Sequence, residues 1–180
     1  TPIQLCLMTA QIANGGYKIT PKILTDDNQL TSEQVKRAMS NNNNEKPFEK
    51  LFKEQKNIKI VQDSMFGSTN ELRGTSYKSR IDDPKYQFAG KTGTAQVKRI
   101  SKRERELDLK TSQIPYEERD HALYVAFGPY KNPRYSLSII VEHGGSGSSA
   151  AAPMATKLFK LIIDRHELRK QVSDFKEFNI

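Results

Sequence analysis

The sequence predicts an α+β domain in which helices come first, an antiparallel hairpin sheet follows, and a last helix covers the sheet. Three observations predict it. Two early segments place residues on one helical face, Leu5, Met8 and Ile12 in the first and Ile58, Val61, Met65, Thr69 and Leu72 in the second. Three short runs that read as strands come next, near 89–98, 121–128 and 135–142, the last two carrying aromatic and β-branched residues. A further helical run near 151–166 then carries Met154, Leu158, Leu161, Ile162 and Arg165 on a face suited to a sheet. Helices and strands segregated in this way make an α+β architecture rather than an alternating α/β one.

Each element has a local reason. Thr1-Pro2-Ile3-Gln4 is a helix start, with Thr1 as cap, Pro2 in the first turn and Gln4 closing a capping box. Asn14-Gly15-Gly16 ends that helix, because glycine enters the left-handed region cheaply. Residues 17–24 read as extended, with Pro21 at an edge. A short helix is expected over 31–39, a solvated loop at the Asn41–Asn44 run, and a polar helix over 45–57. The amphipathic helix is expected over 58–73, stopped by Gly74. Pro129 to Arg134 supplies turn chemistry between the second and third strands. Gly144-Gly145-Ser146-Gly147-Ser148-Ser149 reads as a flexible connection into the last helix, where Pro153 fits only the first turn. Residues 1–166 form the domain on this reading, and 167–180 a frayed polar tail.

Composition excludes several classes. The net charge is +8, yet the most charged stretch, Lys98–Asp120, holds seven Lys or Arg against six Asp or Glu, a net of +1. No basic block is interleaved with aromatics, so no nucleic-acid partner is expected and the excess reads as a solvated surface. The single cysteine, Cys6, excludes an internal disulfide, and His121, His143 and His166 lack metal-ligand spacing, so neither a metal nor another cofactor is expected. No apolar run reaches membrane-spanning length. A start at Thr1 rather than Met, without a signal peptide, is expected of a piece of a longer protein.

The run that carries chemistry is Lys91-Thr92-Gly93-Thr94. Lys-Thr-Gly is one of three elements of β-lactamases and penicillin-binding proteins, beside Ser-x-x-Lys and Ser-Asp-Asn. Its chemistry suits acyl transfer. An edge strand offers backbone groups to an extended peptide. Lys91 supplies positive charge for a substrate carboxylate, and the Thr92 and Thr94 hydroxyls supply short donors for the same anion. Gly93 lets a substrate approach the strand closely. The Thr94 backbone N–H is a candidate oxyanion donor, which makes Lys91 and Thr94 the catalytic candidates in this chain.

The surroundings resemble those of class B penicillin-binding proteins in family order over roughly 1–165. Thr1-Pro2-Ile3-Gln4-Leu5 followed by Asn14-Gly15-Gly16 is similar to the helix after the second catalytic motif. Gly74-Thr75-Ser76 resembles the Gly-Thr-Ala element ahead of the third motif, and 89–97 resembles that motif. His121 to Pro129 with Asn132 to Tyr135 resembles the next two strands and their turn, and Val141 to Gly145 with Ala151 to Pro153 the entry to the last helix. The Glu142-His143-Gly144-Gly145 stretch and the long charged loop resemble the elongation-type penicillin-binding protein 2 subclass. The resemblance implies the C-terminal part of a serine β-lactamase/transpeptidase-like fold, an antiparallel sheet with helices packed on it. It implies a parent D,D-transpeptidase that cross-links peptidoglycan stem peptides ending in D-Ala-D-Ala, is trapped by β-lactams, and needs no cofactor. It also implies a parent anchored by an N-terminal transmembrane helix at the periplasmic face of the inner membrane, working beside a glycosyltransferase and the cell-elongation machinery.

The nucleophile is expected upstream of Thr1. Ser173-Asp174-Phe175-Lys176 spells Ser-x-x-Lys, and Ser68-Thr69-Asn70 spells Ser-x-Asn, but both stand in the wrong order. The first also falls in the polar tail, and a mobile tail cannot hold a nucleophile against its base. Other readings of the same motif are a D,D-carboxypeptidase or serine β-lactamase, which transfer to water, and a β-lactam sensor domain. Gln96, His121, His143 and Arg134 read as ordinary strand, structural or solvated residues.

Overall fold

The structure is a computed structural model and describes residues 1–21, 49–99, 107 and 109–177. The helix expected over 31–39 and the Asn41–Asn44 loop lie outside them, as do 22–24 and 45–48. Helix α1 spans Pro2–Ala13. At its start Gln4 Oε1 accepts hydrogen bonds from the Thr1 amino group and Thr1 Oγ1, both at 2.9 Å. At its end the Asn14 carboxamide accepts from the N–H groups of Gly16 and Tyr17, and Gly15 and Gly16 take φ of 89° and 87°. Helix α2 spans Gln55–Asn70. It starts three residues before the expected Ile58, so 55–57 belong to it rather than to a separate polar helix, and 49–54 are not helical.

Strands β1 (Ala89–Ala95), β2 (His121–Gly128) and β3 (Tyr135–Val141) form one antiparallel sheet in the order β1-β2-β3. The register pairs Lys91 with Val125, Thr92 with Tyr124 and Gly93 with Leu123 across the first ladder, and Gly128 with Tyr135 across the second. β1 stops at Ala95, short of the expected Lys98, because Ala95 already faces His121, the first residue of β2. The Asp120 carboxylate then takes over, accepting the Val97 N–H at 3.2 Å. Around the Pro129–Arg134 turn, Arg134 N–H donates to Gly128 O and Tyr130 N–H to Gln87 O.

Helices cover both faces. Ala122, Tyr124 and Ala126 of β2 pack with Phe88 against Ala152, Ala155, Phe159 and Ile163 of helix α3, which spans Ala152–Glu177. Phe127 and Val125 on the other face join Ala89 against Met65, Phe66, Ile12 and Ala13 of α2 and α1. Alternation along β2 therefore separates two cores, and burial on both sides accounts for its almost unbroken apolar sequence. Phe88 stacks on Phe159 with ring centroids 4.8 Å apart.

α3 continues eleven residues beyond the expected His166 boundary, so 167–177 are helical rather than a frayed tail. No glycine or proline interrupts them, and Glu167, Leu168, Arg169, Lys170 and Gln171 are good helix formers. Lys85 also reaches from the preceding loop to Asp164 at 3.2 Å and Glu167 at 2.8 Å. Among the described residues no helix is long and apolar enough to cross a membrane.

The β2–β3 turn is tied to α2 through Asp63. Its carboxylate accepts from Lys59 Nζ at 2.5 Å and from the Tyr130 hydroxyl, while Phe66 and Tyr130 lie 4.3 Å apart. Lys59 first and Tyr130 second hold the Asp63 carboxyl below the usual carboxylate range. A carboxyl depressed in the folded state stabilises above its unfolded value and loses that contribution as pH falls through the folded one. In the full-length protein, Asp63→Asn is therefore expected to lower the thermal midpoint slightly at about pH 6 and to make no difference at about pH 2. The effect is small because the pair is exposed. An unchanged gap between the variants at the two pH values, read by differential scanning calorimetry, contradicts this linkage.

Candidate active-site strand

β1 is an edge of the sheet, and its outward side carries the motif. Gly90 fixes the phase: its N–H donates to Thr69 Oγ1 of α2 at 3.1 Å, so Gly90 faces away from β2. Backbone groups alternate along a strand. The N–H and C=O of Thr92 and Thr94 consequently point out of the same free edge, whereas those of Lys91 and Gly93 point toward β2. Thr92 O accepts from Lys91 Nζ at 3.0 Å, as an outward carbonyl can.

The segment before β1 lines up along this edge. Lys91 Nζ is 3.3 Å from Thr92 Oγ1, Thr92 Oγ1 is 3.3 Å from Thr75 Oγ1, and Thr75 Oγ1 is 3.1 Å from Ser68 Oγ. One ammonium and three hydroxyls thus form a continuous polar strip. Lys91 and Thr94 are exposed, while Thr92 and Gly93 are half-buried. Lys91, Thr75, Ser68 and Arg73, with the carboxylates of Asp63 and Glu71 also in its wall, line an open groove of about 610 Å³ between β1 and α2. The strip offers cationic and hydroxyl donors, which is the chemistry of anion recognition. Among the described residues, a Cβ added at Gly93 would meet only Leu123 Cβ, at 3.3 Å.

Several residues that build the site were not singled out by motif reasoning. Tyr124 is fully buried, and its ring runs beneath Gly90 to the strand's edge. Its hydroxyl meets Thr69 Oγ1 at 3.0 Å and Ser76 Oγ at 3.1 Å, and burial pushes its pKa up. Through these contacts α2, the Gly74–Ser76 element and β1 share one buried hydroxyl cluster. The missing signal was geometric: a cross-strand diagonal from Tyr124 to Gly90 is invisible until register is known. Gly147 was read as part of a flexible connection. It is buried, and its Cβ position lies 2.4 Å from Leu123 O and 2.7 Å from Gly93 O. The turn Gly147–Ala151 therefore rests directly on the backbone of the motif strand.

Of the two spelled decoys, Ser68-Thr69-Asn70 lies within α2, with Thr69 buried against Tyr124 and Asn70 Nδ2 donating to Phe88 O at 2.9 Å. Ser173 to Lys176 lies in the last turns of α3, far along the helix from the sheet-packing residues, rather than in a tail. Gln96 follows the end of β1 and is exposed. Arg134 is exposed beside the hairpin turn.

An antiparallel sheet clasped between helices, with Lys-Thr-Gly-Thr on its free edge, defines the C-terminal part of a serine β-lactamase/transpeptidase-like fold. The chain belongs to the penicillin binding protein transpeptidase domain family, which it matches over residues 1–160. It is 32% identical over 164 residues to the peptidoglycan D,D-transpeptidase MrdA of Salmonella typhimurium, covering 91% of this chain and 25% of that protein. The MrdA of Haemophilus influenzae is 28% identical over 185 residues, again with 25% of its length covered. Among solved structures, PBP2 of Pseudomonas aeruginosa in complex with WCK 5153 superimposes with a TM-score of 0.61 at 33% identity, over 89% of this chain and 29% of that one. The complex between PBP2 and MreC from Helicobacter pylori gives 0.60 at 28% identity, over 93% and 25%. The chain thus spans about a quarter of the length of the curated relatives it matches.

Proposed function

We propose that the full-length protein is a peptidoglycan D,D-transpeptidase of the elongation type, and that this chain supplies its substrate-binding strand. The observation that carries the proposal is the outward phase of Thr92 and Thr94 on the free edge, next to the Lys91 ammonium. The carboxylate of a stem peptide ending in D-Ala-D-Ala, or of a β-lactam, is held by Lys91 with the Thr92 and Thr94 hydroxyls. The peptide runs along the edge of β1 as an added strand. Its penultimate D-Ala carbonyl then lies against the Thr94 N–H, which stabilises the oxyanion as the nucleophile attacks. Departure of the terminal D-Ala leaves an acyl-enzyme, and an acceptor amine takes the acyl group.

The nucleophilic serine and its base lie upstream of Thr1 on this reading, on segments that enter the open face between β1 and α2. Ile3, Ile60 and Val61 are exposed on α1 and α2, as expected of helices that pack against further chain. The complex between PBP2 and MreC from Helicobacter pylori supports a partnership of the full-length protein with the elongation machinery. A glycosyltransferase beside it and a place at the periplasmic face of the inner membrane belong to the same proposal. Labelled penicillin tests the assignment: the full-length protein is expected to be acylated stoichiometrically and this chain alone not at all. Stoichiometric labelling of the chain alone would place a nucleophile within it. A full-length protein that is never labelled would remove the transpeptidase reading.

A further inference from the structure

The geometry points to His121 and His143 as a positioning pair that holds the Gly145–Gly147 turn against the Lys-Thr-Gly strand only while His121 is unprotonated at Nδ1. This inference rests on the transpeptidase reading for its kinetic consequence, but not for its structural one. His121 opens β2, and His143 stands just beyond β3, so the two close one end of the sheet. The His143 backbone N–H donates to His121 Nδ1 at 3.0 Å. An N–H can be received only by a ring nitrogen that carries a lone pair, so the neutral His121 ring has its proton on Nε2. His143 Nδ1 lies 3.1 Å from Arg119 O, and a carbonyl oxygen only accepts, so that nitrogen carries the proton. Hydrogen bonding therefore assigns opposite tautomers to two rings whose centroids are 4.8 Å apart.

The pair sits at a tight turn of the chain. His143 has φ of 54°, a left-handed conformation uncommon for a non-glycine residue and held here by its surroundings. The bond from its own N–H to His121 is such a constraint. Gly145 follows with φ of 77°, and its N–H donates to Asp120 O at 2.8 Å, beside His121 in sequence. Two residues later Gly147 lies against Leu123 O and Gly93 O. The left-handed turn at His143 thus sets the path that brings Gly147 onto the back of Gly93.

A proton on His121 Nδ1 removes the acceptor and sets two donors face to face. With Nε2 already carrying a proton, a second proton on the His121 ring can go only to Nδ1. Among the described residues, the titratable and charged groups around the pair are Tyr116, whose ring is 5.0 Å from that of His143, Arg119 lying over Tyr116, Asp120 bonded to Val97 N–H, and the exposed Glu142. Loss of the bond frees the turn and loosens its support of Gly93.

The test uses the full-length protein. Long-range ¹⁵N–¹H spectra of the imidazole rings are expected to show the Nε2–H tautomer for His121 and the Nδ1–H tautomer for His143 at about pH 8, and the reverse for His121 overturns the pair whether or not the protein is an acyltransferase. The second measurement is the ratio of penicillin acylation rates at about pH 7.5 and pH 5.5, each protein read against itself. In His121→Asn the amide oxygen stands near the place of Nδ1 and does not titrate. Its ratio is expected to be at least about threefold smaller than that of the parent, and His121→Gln, which places its amide near Nε2 instead, is not expected to reproduce this. An Asn variant with the parent's ratio overturns the proposal. If the full-length protein is not acylated, the transpeptidase reading fails and the tautomers alone decide the pair.

Discussion

Gly147→Ala in the full-length protein is expected to lower stability by about 3 kcal/mol and penicillin acylation by about 100-fold. The added methyl would lie 2.4 Å from Leu123 O and 2.7 Å from Gly93 O, well inside contact distance. Both atoms belong to the β1–β2 ladder, so neither can rotate aside as a flexible side chain would. The turn must lift or the ladder must shift, and Gly93 is the central residue of the motif strand. A displacement of about 1 Å at a site that orients its substrate costs about 100-fold in rate. Ser148→Ala, at the next position, removes the contact with Ser146 Oγ at 2.9 Å and is expected to cost about 1 kcal/mol with acylation retained. Thermal denaturation and the acylation rate check both, and a Gly147→Ala protein that melts and reacts like its parent would show that the turn is not a support.

The same position illustrates what the sequence made legible and what it did not. Strand β2 was readable at both ends and β3 to within one residue, because an apolar run bounded by Gly128-Pro129 and Asn132-Pro133 leaves few alternatives. Helix α1 was equally readable from its capping box and its Asn-Gly-Gly stop, both local chemistry. The outward phase of Thr92 and Thr94 was not, because it depends on Thr69 bonding Gly90 from a helix twenty-one residues earlier. Gly147 was misread because glycine among serines signals freedom when only composition is considered. In the fold, the missing side chain serves close approach of two backbones. The end of α3 was misplaced for a related reason. Polarity suggested fraying, but a polar helix persists where helix formers run on and where Lys85 bridges to Asp164 and Glu167. Whatever depended on contacts between distant segments lay beyond local pattern, and the support of the motif strand is made of such contacts.

Lys91→Ala is expected to separate chemistry from folding in a way the glycine variant does not. Lys91 is exposed, and among the described residues its ammonium bonds only Thr92 O and Thr92 Oγ1, at 3.0 and 3.3 Å. Surface positions of this kind change stability by about 0.5 kcal/mol or less. Its proposed work is on the substrate carboxylate, where a charge-assisted hydrogen bond contributes about 1.5–3 kcal/mol. Converted at about 1.4 kcal/mol per factor of ten, acylation of the full-length protein is expected to fall about 10- to 100-fold with its melting temperature unchanged. Lys91→Arg restores the charge but enlarges the head group, and a planar fork does not reproduce a compact ammonium beside Thr92. It is expected to recover part of the rate. Increasing salt weakens attraction between exposed charges, so the advantage of the parent over Lys91→Ala should narrow as ionic strength rises. A ratio that stays constant from low to high salt would mean that Lys91 acts by shape or by local hydrogen bonding rather than by attracting the carboxylate. Unaltered acylation of Lys91→Ala at low salt would remove the ammonium from the site and leave the hydroxyls of Thr92 and Thr94 as the anion's partners.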